Sequence, residues 1–343
     1  MKKMLGYLLA VVCTLAFFTS CEDDKDENKS SVSYSGKNLV LSFNGRPLEG
    51  QKVVVKRVRE ETFLSFDHLI PGTFVVDMEV TLSPVAKTSL KGSTDYSISG
   101  EKNLRDGRTL SAKGTLSGGV LSLDLGIEVH SPLIGTWVLP ERKDLNGDGK
   151  LDAADYDPAG NFFVKVETVS GSVDFGGESI PDALFNIGAS LKGQAYLATR
   201  LKSVTLKKNG YLVASYSKDG KTFTDSPEGL FSYYITDNLI YIVPDWATVL
   251  NALITKSRQP GELETLLVEG MPFAVISKEK EGEVYATFFL NKKMIEPLLS
   301  SIVRYSAILE RLLPQDILQI LNQGVAIAGD CKEIEIGVNT IKK

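Results

Sequence analysis

From Ser33 to Val129 apolar and polar positions alternate over most of the chain. Leu39, Leu41 and Phe43 are interleaved with Val40, Ser42 and Asn44, and Asn44-Gly45 follows as a turn. Lys52 to Val58, Thr62 to Phe66 and Phe74 to Leu82 read as further strands, rich in Val, Phe and Thr. Tyr96 and Ile98 alternate with polar neighbours. Arg108 to Leu116 meets Val120 to Val129 across Ser117-Gly118-Gly119, a hairpin signal. In Leu121-Ser122-Leu123-Asp124-Leu125 every second residue is apolar, which predicts one face in the core and one in water. Many short antiparallel strands with Gly-rich turns and no helical period predict a β-barrel or sandwich.

After Ser131-Pro132-Leu133 the pattern changes. Gly135-Thr136-Trp137 opens a strand, and hairpins recur. Val204 to Lys208 turns at Asn209-Gly210 into Tyr211 to Tyr216, and Asn-Gly predicts a type I′ turn there. Asp219-Gly220 reads as a turn, and Asp237-Asn238 as another between Leu230 to Ile235 and Leu239 to Val243. Pro244-Asp245 then precedes Trp246, Val249, Leu250, Leu253 and Ile254, a helical spacing. Phe273 to Ile276 and Val284 to Leu290 are strands joined near Glu281-Gly282. Leu298, Leu299, Ile302, Val303, Leu309, Leu312 and Leu313 predict a second helix. Pro314 ends it and starts a third, with Ile317, Leu318 and Leu321 before Gly324. Ile334, Ile336 and Val338 form a closing strand. This half is therefore expected to be α+β, a barrel-type sheet with a helical cluster.

The first residues carry an address. Met1-Lys2-Lys3 is basic, Leu5 to Phe18 is apolar, and Phe18-Thr19-Ser20-Cys21 closes the run. The segment is too short for a permanent span and resembles a bacterial lipoprotein signal. That resemblance implies cleavage before Cys21 and its lipidation, hence anchoring of the protein in the outer membrane through that lipid. Glu22 to Ser31 contains no apolar residue and is expected to be a solvated tether. An acidic run directly after the lipidated Cys resembles the export signal of surface-displayed lipoproteins of Bacteroidetes, which implies outward display. Retention on the periplasmic face is the alternative. The expected organisation is a signal over 1–20, a tether over 21–32, an all-β domain over 33–132 and an α+β domain over 133–343.

Composition removes some partners. Of 343 residues, 43% are hydrophobic and 24% charged, enough apolar content for a substantial core. The net charge of -5, with no basic stripe, argues against nucleic acid. Cys13 leaves with the signal and Cys21 is the lipidation candidate. Cys331 then has no partner for an intramolecular disulfide and is expected as a small buried hydrophobe near the last strand.

The Cys21 tether, Tyr34-Ser35-Gly36 through Phe43-Asn44-Gly45, Gly135-Thr136-Trp137 and Val204 to Tyr216 together resemble the calycin-like and lipocalin-like lipoproteins of gut Bacteroidetes. The resemblance implies a calycin-like first domain and a lipocalin-like second one, in which the Trp plugs one barrel end. It implies a fold and no reaction.

One motif carries definite chemistry. Asp144-Leu145-Asn146-Gly147-Asp148-Gly149-Lys150-Leu151-Asp152-Ala153-Ala154-Asp155 fits the calcium loop of an EF-hand at nearly every site. Asp144, Asn146 and Asp148 offer side-chain oxygens from alternate positions. Lys150 offers its carbonyl, Asp152 acts through a water, and Asp155 takes the last site, where standard loops use Glu. Asp at that site resembles the dockerin variant, but the second loop of that module is missing, and Pro158 and Gly160 cut short the following helix. The competing reading is a solvated acidic turn. Four crowded carboxylates repel one another without a cation, which favours a structural Ca²⁺ site.

No enzyme motif stands out. His68 and His130 have no partners at metal-ligand spacing, and no Gly-x-Ser-x-Gly, Walker loop or Cys-x-x-Cys occurs. Asp124 and Glu128 share a strand, but carboxylates are too common for that to single out a glycosidase pair. Tyr211, Tyr216, Phe231, Tyr233, Tyr234 and Tyr241 crowd neighbouring hairpins, either as a ligand-binding face or as packed core. The expected function is binding of a glycan or apolar ligand by a lipid-anchored surface protein. The alternatives are a docking subunit of a surface complex and, at low weight, a carboxylate hydrolase. An empty barrel interior is the feature that separates the first reading from the second.

Overall fold

The computed structural model describes residues 29–85, 95–149, 157, 160–175, 177–245, 270–297 and 327–343. Cys21 and the acidic run lie outside the described residues. So do Lys150, Asp152 and Asp155, and the stretches 246–254 and 298–321 whose spacing predicts helices.

The first sheet has nine strands: β1 (Lys29–Ser35), β2 (Leu39–Phe43), β3 (Arg46–Leu48), β4 (Lys52–Val58), β5 (Glu61–Asp67), β6 (Val75–Pro84), β7 (Tyr96–Asn103), β8 (Thr109–Ser117) and β9 (Val120–Glu128). Their order is β1-β4-β5-β6-β7-β8-β9-β2-β3. The predicted alternation is realised in β9, where Leu121, Leu123, Leu125 and Ile127 are buried while Asp124 and Glu128 face water. Burying each of those side chains stabilises by about 1.5–3 kcal/mol. Gly118 and Gly119, both at positive φ (56° and 80°), make the tight turn between β8 and β9.

Two expectations change here. The sheet curls without closing, because its edges, β1 and β3, do not pair; it is a half-barrel and not a closed barrel or sandwich. β2 also lies parallel to β9, Leu39 opposite Leu121. Residues 29–32, expected as the end of the tether, belong to a strand. They have no strong apolar signal, yet β1 pairs along β4 from Lys29 opposite Val58 to Ser35 opposite Lys52.

The second sheet is a closed antiparallel barrel. Its eight strands are β10 (Gly135–Val138), β14 (Leu201–Leu206), β15 (Tyr211–Ser217), β17 (Phe231–Thr236), β18 (Leu239–Pro244), β19 (Met271–Lys280), β20 (Glu283–Asn291) and β21 (Cys331–Lys342). Closure comes from β10 against the end of β21, with Trp137 opposite Lys342. β16 (Phe223–Asp225) adds to β15, and β12 (Ser172–Phe175) with β13 (Glu178–Pro181) form a separate ribbon. The β14–β15 hairpin exists, but its turn is not type I′. Asn209 keeps negative φ, Gly210 donates to the Lys207 carbonyl at 3.0 Å, and only Gly210 is left-handed (φ 74°). This is a type I turn followed by a left-handed glycine.

β11 (Phe162–Thr168) pairs with the first part of β21 and leaves its other edge open to neighbours. A helix, α1 (Asp182–Arg200), covers that edge, and nothing in the apolar spacing predicts it. Its buried side is polar. Asp182 accepts from Thr168 N–H (2.8 Å), Asn186 accepts from Val166 N–H (2.9 Å) and donates to Val166 O (3.0 Å). Ser190 accepts from Val164 N–H (2.9 Å), and Gln194 donates to Phe162 O (2.9 Å). Four helical residues advance about 6 Å and two strand residues about 6.7 Å, so side chains at i, i+4, i+8 and i+12 match every second strand residue. Gly193 permits the close approach: a Cβ there would lie 2.1 Å from the Phe162 ring.

One hydrophobic core runs through both sheets, containing Leu64, Met78, Leu110 and Leu125 of the first and Trp137, Leu206, Tyr233 and Ile240 of the second. The barrel end that carries the β14–β15 turn docks on the half-barrel. Asn44 donates from Nδ2 to the Asn209 carbonyl (2.8 Å) while its Oδ1 accepts from Ile127 N–H (2.9 Å). Val129 N–H donates to the Lys208 carbonyl (2.7 Å). Arg108, 2% exposed, is held by Asp106 (2.6 Å) and donates to Pro71 O (2.6 Å), and its guanidinium lies 5.1 Å from the centre of the Tyr234 ring. Tyr234 sits over Gly72, where a Cβ would be 2.7 Å from the ring.

Candidate functional site

The barrel interior is not filled. A cavity of about 290 Å³ lies inside it, lined by residues from β10, β14, β15, β17, β18, β19, β20 and β21. Trp137, Leu206, Leu212, Ile240 and Phe288 are among its walls, and its hydroxyl-bearing residues are Ser203 and Thr340. Thr340 already donates to the Ala286 carbonyl at 2.9 Å. No ionisable residue is among the described lining. Such a chamber excludes ions and rewards apolar contact.

Local sequence explains the lining. In β14 and β18 the alternation turns Val204 and Leu206, or Ile240 and Ile242, to the same side. Trp137 is 1% exposed, donates from its indole N–H to Leu133 O (2.8 Å) and meets Phe288 edge-on at 5.8 Å. The Lys342 ammonium lies 5.8 Å from the centre of the Trp137 ring and donates to Pro132 O (2.6 Å). The indole is thus fixed beside the segment that leads in from the half-barrel. At the opposite end of the barrel the described connecting residues include 139–149, 218–222 and 292–297.

The aromatic residues of neighbouring hairpins do not share one face. Phe231 lines the cavity. Tyr211, Tyr233 and Tyr234 are buried at the joint between the sheets. The Tyr211 hydroxyl donates to Phe43 O (3.3 Å) and the Tyr233 hydroxyl to Lys207 O (2.7 Å). Burial pushes both phenols above their ordinary pKa, so they stay protonated donors. Tyr234 and Tyr241 stack at 4.6 Å, nearly parallel at 4°.

Residues 144–149 of the acidic loop form a tight exposed turn. Asp144 Oδ1 accepts from Gly147 N–H (2.6 Å) and Asp148 N–H (3.2 Å), and its Oδ2 accepts from Gly149 N–H (2.7 Å). Asn146 Oδ1 accepts from Asp148 N–H at 2.9 Å. These contacts bend the segment around Asp144 and engage both of its carboxylate oxygens with backbone N–H groups. Among the described residues no group of three or more His, Cys, Asp or Glu is arranged to hold a metal ion, and three of the expected ligands lie outside them.

The remaining candidates are dispersed. His130 Nε2 is 3.1 Å from the Thr109 hydroxyl, and His68 meets Phe74 edge-on at 5.6 Å. Asp124 and Glu128 are four residues apart on the exposed face of β9, about 13 Å along the strand. Asp124 accepts from the Ser42 hydroxyl, and Glu128 lies 3.8 Å from Lys208. They do not face each other across a cleft. Cys331 starts β21, is buried, and donates from its thiol to Ile327 O at 2.9 Å; burial raises its pKa, which keeps it a thiol. No helix among the described residues is long and apolar enough to cross a membrane. No protein-family model matches the chain, and neither a curated protein nor a solved structure is significantly similar to it.

Proposed function

We propose that this protein is a lipid-anchored protein of the outer membrane, facing the cell exterior, that holds a small apolar molecule inside its barrel. The observation that carries this reading is the 290 Å³ apolar cavity. Of the ligand classes open from sequence, the lining favours an apolar molecule over a glycan, because a sugar ring would leave most of its hydroxyls without partners. The end near Trp137 adjoins the half-barrel, so this reading has the ligand enter from the opposite end. N-phenyl-1-naphthylamine, a neutral fluorescent probe, tests the reading on the full chain carrying Cys21→Ser to prevent lipidation. One probe per chain should bind, and Val204→Lys should abolish binding while the far-ultraviolet dichroism is unchanged. Absence of saturable binding, or equal binding by the lysine variant, contradicts it.

Anchoring and display rest on Cys21 and the acidic run. Palmitate labelling that depends on Cys21, and protease access on intact cells that is lost when Glu22 to Glu27 are neutralised, are the expected results. The calcium part rests on the spacing of Asp144, Asn146, Asp148, Lys150, Asp152 and Asp155, and on the turn at 144–149. A Kd near 1 mM, the weak limit for extracellular loops, predicts about 1 kcal/mol of stabilisation at a few millimolar Ca²⁺. Melting in EGTA against CaCl₂, with MgCl₂ as control, measures it. Asp148→Ala should remove the calcium-dependent shift, and a wild-type melting point indifferent to Ca²⁺ leaves only an acidic turn.

A further inference from the structure

We propose that the cavity is sized for one linear hydrocarbon chain of about twelve carbons, with the polar head of the ligand left outside; this rests on the reading that the cavity binds an apolar molecule.

Volume sets the length. An apolar protein cavity of about 150 Å³ takes one benzene ring, about 25 Å³ per carbon, so about 290 Å³ takes roughly twelve carbons. Shape selects a chain. Leu201 and Leu206 both line the cavity and lie five residues apart on β14, so the apolar lining runs along the strand. A chain laid parallel to the strands meets that lining along its whole length.

Lining chemistry orients the chain. No ionisable side chain is among the described lining, and the Thr340 hydroxyl is committed to the Ala286 carbonyl. An ionised or strongly hydrogen-bonding head drawn inside would lose its water without replacement. The wall of Trp137, Leu206 and Phe288 is apolar and Trp137 lies beside the segment from the half-barrel, so the methyl end of the chain belongs there and the head at the opposite end. The ligand class is a single-chain amphiphile, and the site measures its tail.

The test is a homologous series of n-alkan-1-ols from six to sixteen carbons, displacing N-phenyl-1-naphthylamine from the Cys21→Ser chain. Each added methylene should tighten binding about fourfold until the cavity is full, and the curve should flatten near twelve carbons. Carboxylates of equal length should follow the same curve, since their head remains in water. Val204→Phe, which adds four carbons to the wall, should move the ceiling down by about four. Phe231→Leu, which removes three, should move it up by about three. Should one variant fail to fold, the other and the wild-type curve decide. Affinity that keeps rising to sixteen carbons, or a ceiling that neither variant moves, overturns the chain-length inference while probe binding still upholds the cavity. If neither probe nor any alcohol binds, the functional reading itself falls, and this inference with it.

Discussion

Asn44 shows how much one turn residue carries. Its φ of 50° is left-handed, a conformation that Asn tolerates and Ala does not. Its amide bridges the Asn209 carbonyl and the Ile127 N–H, joining the two sheets at the foot of the barrel. Asn44→Ala should therefore cost about 2–4 kcal/mol, from two hydrogen bonds of about 1 kcal/mol each plus the backbone penalty. Asn44→Gly loses the same bonds without most of the strain and should cost less. Urea unfolding of the two variants measures the difference, and equal costs would show that the left-handed backbone contributes nothing. Asn44-Gly45 is legible as a turn because that is a dipeptide property. Its bridging role is not, because Ile127 and Asn209 lie 83 and 165 residues away. The acidic loop is legible for the same local reason, since its spacing alone places oxygens on one turn.

At the scale of elements, strands whose faces differ in polarity are legible and α1 is not. β9 declares itself by alternation. α1 reverses the usual rule, turning Asp182, Asn186, Ser190 and Gln194 inward while Leu184 and Tyr196 are 62% and 63% exposed. Apolar periodicity cannot reveal a helix whose buried partner is the open edge of a strand and not a hydrophobic layer. A polar i, i+4 stripe was the available signal. The helix covers the edge of β11, a place where an uncovered strand invites pairing with another chain. Asn186→Leu leaves the Val166 N–H and carbonyl without their partners, which should cost about 2–4 kcal/mol. It should also raise the tendency to aggregate. Denaturation and light scattering at matched concentrations check both effects, and a variant as stable and monodisperse as the wild type would show that the stripe does not protect the edge.

For the whole molecule the consequence is cooperativity. Two sheets that share one core, with Tyr211, Tyr233 and Tyr234 buried between them, should unfold in a single calorimetric transition. Residues 133–343 alone should melt at lower temperature, since that cut exposes the three tyrosines; two separated transitions in the full chain would contradict the shared core. Neither the shared core nor the open barrel interior is readable from sequence. Strand pattern predicts which side chains turn inward, whereas an empty interior depends on how strands from residues 135 to 342 are spaced around the ring. Trp137 offers the most direct view of that interior. With Trp246→Phe removing the other indole, the Cys21→Ser chain can be titrated with 10-bromodecan-1-ol, whose terminal bromine quenches indole on contact. Saturable quenching at one molar equivalent, relieved by unbrominated decan-1-ol, is the result expected if the tail lies against Trp137. Emission that stays constant, or falls without saturation and is not relieved by decan-1-ol, would contradict a ligand held in the barrel.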